Sequence, residues 1–207
     1  MIPYESYLRV RDNSWECLIK SGICSLPVDI LKITSIEKSI KVIKNSSVGL
    51  LREGENGRSF YDGSTWCIIY NDLAPIEHSR YTIAHELGHY YLEHEIKYSQ
   101  YWDMRTENDK YVSEKYADMF ARRLLCPSCV LWGMGLTSCE DIAKYCMVEH
   151  HVAEERSRRM HLLYSKDKFL TDPCEQRLYS LFSQYISENS PLTPSEQRIY
   201  ENEGKKI

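Results

Sequence analysis

His85, Glu86 and His89 stand as His-Glu-x-x-His within Thr82-Ile83-Ala84-His85-Glu86-Leu87-Gly88-His89-Tyr90-Tyr91. On a 3.6-residue helix, side chains four apart project from one face, so the two imidazoles can offer nitrogens to a single metal ion. Zinc suits that donor pair. Glu86 lies about 100° round the helix from His85, near enough to reach a water in the metal's open position without ligating the metal itself. It is therefore the expected general base. Ile83, Leu87 and Tyr90 or Tyr91 recur at i, i+4 and i+7 or i+8, giving the same helix an apolar face for the core. The competing explanation is a solvated helix face. With 7 His in 207 residues, a shuffled chain would show the pattern about 0.02 times, which makes coincidence a poor account.

A catalytic zinc usually takes three protein ligands and leaves one position for water. A carboxylate on another helix would complete the set, and the stretch from Ser113 to Leu125 supplies one. Glu114 is the candidate third ligand. It opens a predicted amphipathic helix whose buried stripe is Ala117, Phe120, Ala121, Leu124 and Leu125. Asp118 follows one turn later on the side of Glu114, placed to accept the free N–H of a ligating histidine and hold its tautomer. A plain surface carboxylate is the alternative reading of Asp118.

These two stretches resemble the ImmA/IrrE (DUF955) zinc metallopeptidases. Arg80-Tyr81-Thr82-Ile83-Ala84-His85-Glu86-Leu87-Gly88-His89 is similar to that family's arginine-aromatic-Thr-x-Ala-His-Glu-x-x-His segment. Glu114-x-x-Ala117-Asp118-x-Phe120-Ala121-x-x-Leu124-Leu125-x-Pro127 is similar to its Glu-x-x-Ala-Asn/Asp-x-Phe-Ala-x-x-Leu-Leu-x-Pro helix. The resemblance implies His85, His89 and Glu114 as ligands of Zn2+ and Glu86 as the base. It also implies a protein substrate, a helix-turn-helix repressor of a mobile element or stress response. Cys126 stands where the family often has Met, a change of packing.

The elements that must hold these residues follow from pattern. Residues 4–21 read as an amphipathic helix, and Pro27 as the start of a short second one. Ser39–Asn45 reads as a strand; Arg58–Asp62 and Thr65–Asn71 flank Asp62-Gly63, a hairpin signal. The expectation is an α+β fold: a small antiparallel sheet packed on a zincin-type metal helix, followed by a C-terminal helical hairpin, helix-turn-helix-like. The expected division is a metallopeptidase domain over residues 1–135 and a helical hairpin with a helical tail over 136–207. The strand ending Ile68-Ile69-Tyr70-Asn71 runs almost directly into the metal helix, so its edge is a candidate for pairing with an extended peptide. Tyr98–Lys110 reads as a loop over the site. Tyr70, Tyr101 and His94 are candidate donors to an oxyanion. Residues 173–188 read as a helix and 194–202 as the last element of a polar tail.

Composition narrows the class. Net charge is −4 and pI about 6.0, so nothing global favours nucleic acid or an anionic membrane. No apolar run approaches membrane-spanning length and the first residues do not read as a signal peptide, so a soluble cytoplasmic protein is expected, its 8 Cys reduced. Cys126-Pro127-Ser128-Cys129 fits no zinc-ribbon spacing and reads as packing thiols. Residues 137–160, with Ile142-Ala143, a turn near Met147 and then Arg156, Arg158 and Arg159, carry a rival reading as a DNA-binding helix-turn-helix. Glu149, Glu154 and Glu155 would repel phosphate there, which favours a packing hairpin. The functional alternatives are then a zinc endopeptidase, or a non-enzymatic DNA- or partner-binding regulator with a structural metal. Another zinc hydrolase, such as a small amidase, would share the metal chemistry.

Overall fold

The computed structural model describes residues 4–93 and 106–191. Two compact units are present: Met1–Ser14 with Ile30–Arg122, and Trp15–Asp29 with Arg123–Ile207. Helix α1 (Tyr4–Lys20) begins in the first unit and helix α5 (Glu107–Leu125) ends in the second. The described residues combine helices with one small sheet, an α+β fold.

The first unit carries that sheet. Strands β1 (Ile40–Lys44), β2 (Gly57–Tyr61) and β3 (Trp66–Tyr70) lie in the order β1-β3-β2. All five residues of β3 are buried, as a central strand of Trp, Cys, Ile and Tyr requires when both faces are covered. β2 pairs with β3 antiparallel, Tyr61 opposite Trp66 and Gly57 opposite Tyr70. β1 pairs with β3 parallel, Ile40 opposite Trp66 and Lys44 opposite Tyr70. The sheet is thus mixed, which corrects the expectation of an antiparallel one. A tight turn dictates strand direction only within its own hairpin, and β1 reaches β3 by way of helix α3 (Asn45–Val48) and β2. The same order corrects the expected role of β3: it is central, and its two edges are taken by β1 and β2.

The hairpin closes through four residues, not two. Asp62 N–H bonds Thr65 O at 3.0 Å, and Asp62 Oδ1 accepts from the backbone N–H of Ser64 at 2.9 Å and of Thr65 at 2.8 Å. Gly63, at φ +101°, takes a conformation that a side chain resists. Those backbone donors hold the Asp62 carboxyl down at about 2.

After β3, Asn71 O accepts the Ser79 hydroxyl and the chain enters α4 (Ile76–Tyr91), capped at Pro75. α4 contacts β2, β3 and helix α2 (Ile30–Ile36) and buries Ile83, Ala84 and Leu87. α2 starts three residues after Pro27, so that proline precedes the helix instead of opening it. α4 ends where Glu93 turns to φ +57°. α5 starts two turns before Glu114, because Thr106 and Asp109 cap it reciprocally: Thr106 N–H donates to Asp109 Oδ2 and Asp109 N–H to Thr106 Oγ1, each at 3.1 Å. Residues 107–110, expected in a loop, are therefore helical; residues 98–105 of that expected loop, and the 194–202 segment, lie outside the described residues.

The second unit is helical. α6 (Ser128–Gly133) contacts α9 (Pro173–Asn189), with Trp132 against Phe169 and Tyr179 at ring separations of 5.5 and 5.6 Å. α7 (Cys139–Cys146) and α8 (His150–Ser165) pack on each other, α7 capped by Ser138. Arg156 of α8 is buried, its guanidinium donating to Cys126 O at 2.7 Å and Ser128 Oγ at 2.9 Å. A residue so engaged does not present itself to a phosphate backbone, which removes the first of the three arginines from the helix-turn-helix reading. No described helix is long and apolar enough to cross a membrane.

Candidate metal centre

Helices α4 and α5 bring the predicted residues together within the first unit. The approach depends on Gly88, inside the motif: a Cβ there would lie 2.9 Å from Ala117 Cα and 3.1 Å from Ala117 O. Because these are backbone atoms, only glycine lets the two helices run this close. Tyr91 stacks on Phe120 beside that crossing, ring centroids 5.7 Å apart.

Across it, His85 Nε2 lies 3.0 Å from Glu114 Oε2 and 3.1 Å from His89 Nε2, while His89 Nε2 lies 3.5 Å from Glu114 Oε1. The ligand atoms of the three residues all fall within 4.8 Å of one another. Donors about 2.0–2.1 Å from a tetrahedral zinc stand about 3.3 Å apart, so the set is spaced as zinc requires. The donor chemistry agrees: two imidazole nitrogens and a carboxylate, with Glu114 half-exposed at the mouth and His89 buried. The residues fit the ion. Among the described residues this is the one group of His, Cys, Asp and Glu side chains able to hold a metal; Cys126 and Cys129 are buried free thiols in the second unit, and burial raises the Cys129 thiol well above its ordinary range.

Asp118 lies behind the first ligand. Its Oδ1 is 2.9 Å from His85 Nδ1, so an Nδ1 proton would point at the carboxylate and, with a metal bound, the Nε2 lone pair would face the cluster. Burial alone would depress the His85 imidazole; the hydrogen bonds to Asp118 and Glu114 outweigh it and lift it to about 9. Glu114 is held well below the usual carboxylate range by its hydrogen bonds to His85 and His89. Burial pushes Asp118 up, yet its bond and charge interaction with His85 leave it lowered on balance. Two histidines facing two carboxylates are a preformed cradle for a dication.

A family model described as the IrrE N-terminal-like domain matches residues 33–158, 126 of the 207 in the chain. This chain belongs to the ImmA/IrrE metallopeptidase family. The match spans both metal-centre helices and the sheet before them. Among curated proteins, none matches the chain.

Two polar partners in this ImmA/IrrE centre escaped sequence reasoning. The Tyr81 hydroxyl donates to Asp118 Oδ1 at 2.9 Å; Tyr81 precedes His85 by four residues, so helical spacing alone could have put it on the ligand face. Ser59 of β2 donates its hydroxyl to Glu86 Oε2 at 2.5 Å, and nothing in its sequence neighbourhood signals that. The strand can pass so near because Gly57 has no side chain: a Cβ there would collide with Thr82 Cγ2 and come within 3.7 Å of Glu86 Oε1. Glu86 itself is buried, 8% exposed, on α4. Of the candidate oxyanion donors, Tyr70 is buried in β3, where burial and the Asp72 charge raise its phenol. Tyr101 and His94 lie outside the described residues.

Proposed function

We propose that this protein is a zinc-dependent endopeptidase that cuts a peptide bond in a protein substrate. The observation that carries the proposal is the convergence of His85, His89 and Glu114 on one point, with the Glu86 carboxylate on the same helix and outside that set. A zinc ion held by those three residues would supply Lewis-acid polarisation of the scissile carbonyl and acidify the attacking water to a pKa of about 7. Glu86 takes the water proton and passes it to the amine nitrogen as the peptide bond breaks, which returns the carboxylate to its starting state. Ser59 holds Oε2, leaving Oε1 as the atom for that transfer. Asp118 keeps His85 in the tautomer whose Nε2 faces the cluster.

The substrate lies along β2. Among the described residues no strand pairs with the outer edge of β2, which carries Ser59 against the base. An extended peptide adding to that edge would run past Glu86 with its carbonyls in reach, taking the role first expected of β3. Membership of the ImmA/IrrE family supports a helix-turn-helix repressor as the protein cut. Helix-turn-helix repressors, incubated with the zinc-loaded protein and read by mass spectrometry, are the test. Wild type should release two fragments, Glu86→Gln should hold about one zinc per chain and release none, and Glu114→Ala should lose the metal. Cleavage by Glu86→Gln at the wild-type rate would overturn the role of Glu86. Full metal content in Glu114→Ala would overturn the ligand set.

A further inference from the structure

The cluster of His85, Asp118 and Tyr81 has a feature that the ligand set does not use. Asp118 Oδ1 receives two donors at equal range, the His85 Nδ1 side at 2.9 Å and the Tyr81 hydroxyl at 2.9 Å. Tyr81 and His85 sit one turn apart on α4, rings 6.5 Å between centroids, while Asp118 belongs to α5. The hydroxyl therefore crosses from the helix that carries both histidines to the helix that carries Glu114.

We propose that Tyr81 is a positioning residue of the metal centre, acting through Asp118 to fix His85 and to hold the Glu114 helix against the histidine helix. The proposal rests on His85, His89 and Glu114 being the metal ligands. Asp118 is the pivot of this cluster. Its side chain is 37% exposed, on a helix surface open enough for the carboxylate to rotate and exchange His85 for water. A second donor on the same oxygen removes that freedom. With one lone pair of Oδ1 taken by the phenol, the other is aimed along the plane of the imidazole, and the ring can turn only by breaking a bond. A hydroxyl on the shared oxygen also draws charge from Asp118, which by itself would weaken its pull on Nδ1. Orientation outweighs that loss, because a misdirected Nε2 lone pair forfeits a ligand whereas a slightly weaker carboxylate forfeits only part of one hydrogen bond.

The experiment is zinc affinity by chelator competition on full-length wild type, Tyr81→Phe, Asp118→Ala and the double variant, with the absorption spectrum of the cobalt-substituted forms. Phenylalanine keeps the ring and removes only the hydroxyl. Tyr81→Phe should weaken zinc binding about 10-fold, within the usual effect of an outer partner on a metal site. Its ligand-field bands should shift toward those of Asp118→Ala. The double variant should bind no more weakly than Asp118→Ala alone, because the hydroxyl acts only through that carboxylate. If Asp118→Ala does not fold, Asp118→Asn replaces it in the cycle, with the same non-additivity expected. Wild-type affinity and an unshifted cobalt spectrum in Tyr81→Phe would overturn the proposal while leaving the ligand set intact. Losses that multiply in the double variant would overturn the route through Asp118. A wild-type protein that binds no zinc would overturn the ligand set, and this proposal with it.

Discussion

The metal centre and the Arg156 cluster both use charged side chains, but among the described residues only the metal centre gathers groups able to hold a metal at a common point. Arg156 is 5% exposed and donates from its guanidinium to Cys126 O, just past the end of α5, and to Ser128 Oγ at the start of α6. A cation at the C-terminal end of a helix answers carbonyls that have no partner within the helix, and it leaves no lone pair for a ligand. Glu114 is 58% exposed and meets two histidines whose ring nitrogens already approach each other to 3.1 Å. The lesson is about convergence: a buried cation that donates to a helix-end carbonyl builds structure, and an open set of lone pairs directed at one point builds a site.

Arg156→Met gives the largest expected change that separates the two. It should cost about 2–3 kcal/mol by leaving the Cys126 carbonyl without its charged donor. Melting temperature should fall while zinc content stays at the wild-type level. A loss of zinc equal to that of Glu114→Ala would erase the distinction between the clusters.

Gly88→Ala should behave the other way round, with an effect on stability of about 1–3 kcal/mol from overpacking against Ala117. Here zinc affinity should fall with stability, because the added methyl separates α4 from α5 and with them His85 from Glu114. Chelator competition and thermal melts on the same sample check this, and unchanged affinity would show that the helix crossing tolerates the separation.

Asp62 offers the smallest effect and a third arrangement, a carboxylate satisfied by backbone N–H groups at the surface. Its folded value of about 2 lies below its ordinary value, so the stability it contributes is present above that ordinary value and is lost as pH falls through about 2. Asp62→Asn should therefore be slightly less stable than wild type at pH 7 and converge with it as pH falls below about 2, with unchanged zinc content at pH 7. Urea melts across that range test it; a gap that stays constant with pH would mean that the charge of Asp62 contributes nothing.

Much of the frame was legible before any coordinates. The helices over 4–20 and 173–189, the strand at 40–44 and the hairpin flanking Gly63 all follow from hydrophobic period and turn residues. Strand direction was not: β1 is joined to β3 only through intervening elements, and a parallel partner leaves no mark in the period of either strand. The start of α5 was missed because the hydrophobic stripe begins with Ala117, nearly three turns inside the helix, whereas the signal that opens it is the polar pair Thr106 and Asp109.

Local spacing determined what this chain can offer to a metal. His85 and His89 share a face because they are four apart on a helix, and Glu86 is turned away from them for the same reason. Asp118 follows Glu114 by one turn. All of that is one-dimensional information, since a helix converts sequence separation directly into angle. Tertiary structure alone decided what the offers meet: Glu114 across from His85, Ser59 on Glu86, Tyr81 on Asp118, and residues 15–29 in the same unit as the C-terminal helices. The three side-chain encounters join residues as many as 37 positions apart. They depend on how closely two backbones approach, which at Gly57 and Gly88 turns on a missing side chain.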